Sequence, residues 1–148
     1  MIKEVIFQIR RFFHRKKPPL QEDITRFLTS SSHFSIYKKI VKPGAFMPMT
    51  NSATGALETS VFQVSGIMNE EIWAIGEKNV VNEVSGRQLY GRGDLHSKSV
   101  IEIGLVVEPD HHPPRHANIR GWPETKSERK LFAMKLASSA RFYMLGDK

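Results

Sequence analysis

Between residues 110 and 120 the chain gathers groups that move protons and hold anions: Asp110, His111, His112, Arg115, His116, Asn118 and Arg120, interrupted by Pro113 and Pro114. Imidazole titrates near neutrality and serves as either acid or base. An arginine fork donates to two oxygens of one phosphate. Arg115, His116 and Arg120 are therefore the candidates for phosphate binding, with Lys42 as a further cation. Three imidazoles and a carboxylate also suggest a metal. His112 and His116, however, lie in a proline-broken segment and not on one helical face, so their four-residue spacing does not align them as ligands. The residues predict neither a metal nor a cofactor, and a plain solvated loop is the competing reading.

A second constellation places His33, Lys38, Lys39 and Lys42 around Phe34 and Tyr37. Cations alternating with rings that stack on bases suit single-stranded nucleic acid, and they also suit an ordinary surface. His33 and His116 are the catalytic candidates. As an acid and base pair, with Arg115 or Lys42 steadying a phosphate, they would support metal-independent RNA cleavage. More than eighty residues separate them, and the sequence leaves their convergence open. Neither GxxxxGK[ST], GxGxxG nor GxSxG occurs, which removes the easily read nucleotide-hydrolase, dehydrogenase and α/β-hydrolase assignments. Arg92-Gly93-Asp94 spells an adhesion tripeptide that recurs by chance.

Charge follows the same division. Of the net +7, residues 1–17 carry +5 and residues 115–141 carry +5, whereas residues 18–114 carry −3. Basic ends attract phosphates or anionic surfaces where they adjoin. Arg10 and Arg11, with Lys38 and Lys39, are the candidate nucleic-acid contacts. The 148 residues suit one domain, and 40% hydrophobic with 25% charged residues is ordinary globular composition. The absence of cysteine excludes disulfides, cysteine-ligated clusters and thiol nucleophiles, and suits a reducing cytoplasm. No apolar run reaches the roughly 20 residues of a membrane span. The basic start lacks the continuous apolar stretch of a secretory signal, so the expected location is cytoplasmic.

The elements that must position these groups are read from periodicity. Ile2, Val5, Ile6, Ile9, Phe12 and Phe13 line one face of a basic amphipathic helix that Pro18 and Pro19 end. Residues 1–19 are thus expected as a helix and proline linker, ahead of one α+β domain over 20–148. A short helix is predicted over 21–29, irregular backbone with one short strand over 33–57, and a strand over 59–65. A helix capped by Asn69 should run to about Asn82. A strand is predicted over 87–90, a short helix over 97–103 closed by Gly104, and strands over 105–108 and 116–120. Ala117 and Ile119 should face opposite to His116, Asn118 and Arg120. Thr125 and Glu128 have capping-box spacing before a last long helix whose stripe runs from Phe132 to Tyr143 and Met144. The fold class is α+β: a small mixed sheet packed by helices, with the basic helix first and a long helix last.

Gly91-Arg92-Gly93-Asp94-Leu95, Gly104-Leu105-Val106-Val107 and the run from Pro113 to Pro123 (PPRHANIRGWP) resemble a group of small uncharacterised bacterial proteins. The likeness spans roughly residues 24–140, leaves out the first helix, and implies a bacterial or mobile-element origin over a eukaryotic one but no activity.

Together the residues predict a small basic binding or accessory protein that contacts nucleic acid or another polyanion. Arg115, His116, Arg120 and the N-terminal arginines would make those contacts. One alternative is a nucleotide- or RNA-handling enzyme using His33 and His116. Another makes the first helix a docking element for a protein partner, a second copy or a membrane surface.

Overall fold

The computed structural model describes residues 21–147, so the expected N-terminal helix, Arg10 and Arg11 lie outside the described residues. The chain builds an α+β fold on a seven-stranded sheet. Its strands are β1 (Asp23–Leu28), β4 (Met49–Thr50), β5 (Leu57–Gln63), β6 (Gly91–His96), β7 (Val106–Pro109), β8 (His116–Arg120) and β9 (Arg141–Met144). Their order is β7-β8-β5-β1-β6-β9, with β4 beside β5, and every pairing is antiparallel. The sheet is larger than expected and antiparallel instead of mixed. A separate hairpin joins β2 (Phe34–Ser35) to β3 (Ile40–Val41). Among the described residues three α-helices complete the fold: α1 (Asn69–Val80), α2 (Ser97–Glu102) and the long C-terminal α3 (Lys126–Ser139). Among the described residues no helix is long and apolar enough to cross a membrane.

Five further expectations need correction, the first being the single short strand over 33–57, where β2, β3 and β4 are three. Residues 21–29 form the central strand β1 and not a helix. Ile24, Thr25, Phe27 and Leu28 are all buried, because β1 is covered on both faces, and a doubly covered strand loses the alternation that distinguishes it from a helix. The strand expected at 87–90 lies instead at 91–96, where Gly91 and Gly93 conceal it. A Cβ on Gly91 would stand 2.5 Å from the Tyr143 carbonyl oxygen, and one on Gly93 2.9 Å from Val41 Cγ2. The glycines are there for close packing. Asn69 does not cap α1, since Met68 holds that position and Asn69 Oδ1 accepts from Arg92 Nη2 at 2.7 Å. The final helix stops at Ser139, and Phe142, Tyr143 and Met144 belong to β9, paired along β6. Thr125 does cap α3, its Oγ1 accepting from the Glu128 N–H at 3.3 Å.

One face of the sheet sends Ile24, Leu28, Val61, Leu95, Ala117 and Ile119 into a core closed by Ala133, Leu136 and Ala137 of α3, Val100 of α2, and Phe34, Val41 and Phe46. The other sends Phe27 and Phe62 against Ile72 and Trp73 of α1, joined by Val64 and Leu89. Farther along this second face, strand alternation places Glu58 and Ser60 of β5, His116, Asn118 and Arg120 of β8, and Glu108 of β7 side by side. Ala117 and Ile119 do face opposite to His116, Asn118 and Arg120, as the alternation requires.

Candidate active site

The register sets the site. Ser60 lies opposite Asn118 and Phe62 opposite His116, so Ser60 and His116 are diagonal neighbours across two strands. Ser60 Oγ and His116 Nε2 are 2.5 Å apart. The other ring nitrogen, Nδ1, is 2.8 Å from Asp110 Oδ1. Asp110 follows the end of β7, where its own N–H and that of His111 both donate to the His116 carbonyl at 3.1 Å and fold the loop back over β8. Its carboxylate also accepts from the His112 N–H (3.0 Å) and from Asn118 Nδ2 (3.0 Å). Partial burial works to raise the Asp110 pKa, but the His112 amide, the His116 imidazole and the Asn118 amide outweigh it and hold the group below its ordinary value.

An ionised carboxylate only accepts, so Nδ1 carries a proton. In the neutral imidazole Nε2 then has a free lone pair, and the Ser60 hydroxyl donates to it. Serine, histidine and aspartate are thus joined in the order and polarity of a nucleophile, its base and the base's orienting group. The imidazole is further fixed by Phe62, which meets it edge-on with centroids 5.2 Å apart and is itself packed on Phe27 at 5.4 Å.

Ser60, His116 and Asn118 open onto a cleft of about 360 Å³ whose walls also include Phe62, Met47, Met49, Arg26 and Arg87. Arg26 enters where the sheet parts. β1 and β5 pair only at Ile24 with Gln63 and Thr25 with Phe62, and beyond this the Arg26 guanidinium fills the gap. It donates from Nε to the Ala45 carbonyl (2.8 Å) and from Nη1 to that of Ser60 (3.0 Å). Burial, and then the Arg87 charge, lower its pKa to about 10.

Among the residues expected from sequence, His116 is central to the site. Arg115 precedes it, exposed and with a left-handed φ of 71°. Arg120 is held by Glu58 (Nη2 to Oε2, 2.9 Å) and Glu108 (Nη1 to Oε2, 2.8 Å), so two carboxylates already meet its charge. Those carboxylates raise its pKa. His33 is not on the cleft wall, and no contact joins it to His116 among the described residues. Its Nδ1 is buried without a partner, and burial, Arg26 and Arg87 lower its pKa. Lys38, Lys39 and Lys42 are exposed on and beside the β2–β3 hairpin, away from these walls. Sequence reasoning missed Ser60, Arg26 and Arg87 altogether. Asp110 and Asn118 stood in the right constellation but were given no role.

No family model, curated protein or solved structure matches the chain.

Proposed function

We propose that this chain is a serine-dependent hydrolase acting on a small ester or related acyl compound. The reading is carried by one observation, the continuous line from Ser60 Oγ through His116 to Asp110 with links of 2.5 and 2.8 Å, opening on a cleft. Ser60 Oγ attacks the acyl carbon while Nε2 of His116 takes the hydroxyl proton. Asp110 holds the resulting imidazolium. The leaving group departs with that proton, and the acyl group remains on Ser60. Water, deprotonated by His116, then frees the acid and restores the serine. A cleft of about 360 Å³ sits at the lower end of the range for small-molecule sites, which favours a compact substrate over a polymer. The test is covalent labelling of the full chain with a fluorophosphonate. Mass spectrometry should place the adduct on Ser60, and Ser60→Ala or His116→Ala should abolish it without unfolding the protein. A folded wild type that remains unlabelled would refute the reading.

A second reading, polyanion binding, is favoured by the hairpin tip. There Tyr37 is 95% exposed beside the exposed Lys38 and Lys39. An unburied ring flanked by cations is the arrangement that stacks on an unpaired base. Salt-sensitive binding of single-stranded RNA that is lost in Tyr37→Ala with Lys38→Gln and Lys39→Gln would support it, and binding indifferent to those changes would exclude it.

A further inference from the structure

The cleft that holds Ser60 and His116 also has a cationic wall that the bond-breaking steps above do not use. Arg26 and Arg87 both line it, and neither has a carboxylate partner among the described residues. Glu58 lines it too, but its Oε1 accepts from Asn51 Nδ2 at 2.9 Å and its Oε2 accepts from Arg120, so its hydrogen bonds are directed away from Arg26 and Arg87. Arg26 is fixed through two carbonyls, one of them belonging to Ser60 itself. Its guanidinium therefore lies within one side chain's reach of the nucleophile. Like charges gathered on a partly desolvated wall are unfavourable unless an anion joins them. The Arg87 charge, after burial, lowers the Arg26 pKa, and both charges add to burial in lowering that of His33, in keeping with their place on one wall.

We propose that Arg26 and Arg87 form an anion subsite that takes a carboxylate or phosphate carried by the substrate of Ser60, a refinement that rests on the hydrolase reading. The substrate class narrows accordingly, from any small ester to one with an acidic group next to the scissile bond. The shared chemistry is a planar or tetrahedral oxyanion accepting from guanidinium N–H groups. The Ser60 hydroxyl and the arginines then act on adjacent groups of one bound molecule.

Binding is measured by calorimetry on the full chain carrying Ser60→Ala, titrated with inorganic phosphate and separately with acetate at constant ionic strength. One of the two should bind saturably, with a Kd on the order of 1 mM, and the one that binds identifies the source of the oxyanion. Arg87→Gln should weaken that binding about tenfold, as loss of a charged hydrogen bond requires. Lys42→Gln, an exposed cation off the cleft wall, should leave it unchanged. Arg26→Lys is the second probe. If that variant does not fold, the exposed Arg87 decides alone. Absence of saturable binding by either anion, or an affinity unmoved by Arg87→Gln, overturns the subsite. Because Ser60 is absent from the titrated protein, this failure is separate from a failure of labelling. Anion binding in a protein whose wild-type Ser60 resists fluorophosphonate would refute the hydrolase reading, and with it the assignment of the anion to a substrate.

Discussion

Exchanging Asp110 for Asn separates a catalytic His116 from a structural one. The carboxylate accepts three hydrogen bonds, with Oδ1 serving His112 N and His116 Nδ1 and Oδ2 serving Asn118 Nδ2. An amide has one oxygen, so at least one of these bonds must change: that of Asn118 if the NH2 takes the place of Oδ2, those of His112 and His116 if it takes the place of Oδ1. If the new NH2 turns toward His116, Nδ1 becomes an acceptor, the ring proton moves to Nε2, and Nε2 donates to Ser60 instead of receiving its proton. Inverting the tautomer in this way costs a Ser-His-Asp enzyme about 10⁴ in rate. If Asn118 turns instead, the tautomer survives and only the negative charge is lost. Unit charges about 4 Å apart at an effective dielectric near 20 interact by about 4 kcal/mol. The Asp110 side chain is 39% exposed, and screening leaves roughly half of this, or about 30-fold in rate. The expected outcome is therefore a 30-fold to 10⁴-fold slower modification of Ser60 by fluorophosphonate. The stability cost is only about 1 kcal/mol, because the exposed edge of residue 110 can turn to water. The second-order rate is followed by mass spectrometry, with the exposed Ser52 and Ser85 as internal references and circular dichroism as the check on folding. A wild-type Ser60 that reacts no faster than those serines, or an Asp110→Asn variant within threefold of wild type, would refute the proposed polarity of the hydrogen-bond chain.

Three further outcomes test the frame around the site. Gly91→Ala should destabilise the protein by about 1 to 3 kcal/mol in urea unfolding, because the new Cβ meets the Tyr143 backbone oxygen, which cannot retreat without opening β6 from β9. Arg92 is only 1% exposed, bonded to Asp94 and lying over Trp73 and Tyr143 at 4.5 and 4.8 Å. Arg92→Met should cost about 3 kcal/mol, and adding Asp94→Asn should return part of it; strictly additive costs in the double-mutant cycle would deny the pair. His33 has its pKa lowered by folding, first by burial and then by Arg26 and Arg87, so its neutral form belongs to the native state. Its contribution is complete above the ordinary value of 6.5 and is lost as pH falls through the lower native value. Asp110, also lowered, adds the same sign in stronger acid, below 3.8. Stability measured from pH 7.5 to 4.5 should decline, and His33→Gln should flatten the decline; an unchanged slope would exclude His33 as its source.

Sequence patterns revealed elements in which one physical signal dominates. Thr125 and Glu128 announced α3, Gly104 closed α2, and alternation from His116 to Arg120 sorted β8 correctly onto its two faces. Patterns failed where tertiary structure supplied the reason. Ile24 and Leu28 of β1 pack into one layer and Phe27 into the other, and the glycines of β6 make room for a neighbouring carbonyl and Val41, which no local window contains. The site divides in the same way. His116 and Asp110 drew notice because polar groups crowd one loop. Ser60 had no such signal, since it is one hydroxyl in a β-forming run between Val61 and Thr59, outside any nucleophile-elbow motif. Its significance arises only from the pairing with Asn118 and Phe62's pairing with His116. Arg26 was hidden in a segment read as helical, and its place in the gap between β1 and β5 depends on where those strands stop pairing.

That dependence on register gives Arg120 a structural role. A slip of one residue in β8 would turn His116 and Asn118 into the core and bring Ala117 and Ile119 to the cleft. The apolar cost of exposing those two side chains already opposes the slip, but it acts on β8 as a whole and specifies nothing about β7. Arg120 does, because it bonds Glu58 on β5 and Glu108 on β7 at once and so ties three strands through one guanidinium. The Asn118 bond to Asp110 adds a second tie between β8 and the end of β7. Ser60, His116 and Asp110 come from β5, β8 and the end of β7, the same three elements in the same order. Arg120 thus holds the register by which the three groups meet, and among the described residues the cleft arginines without a carboxylate partner are Arg26 and Arg87.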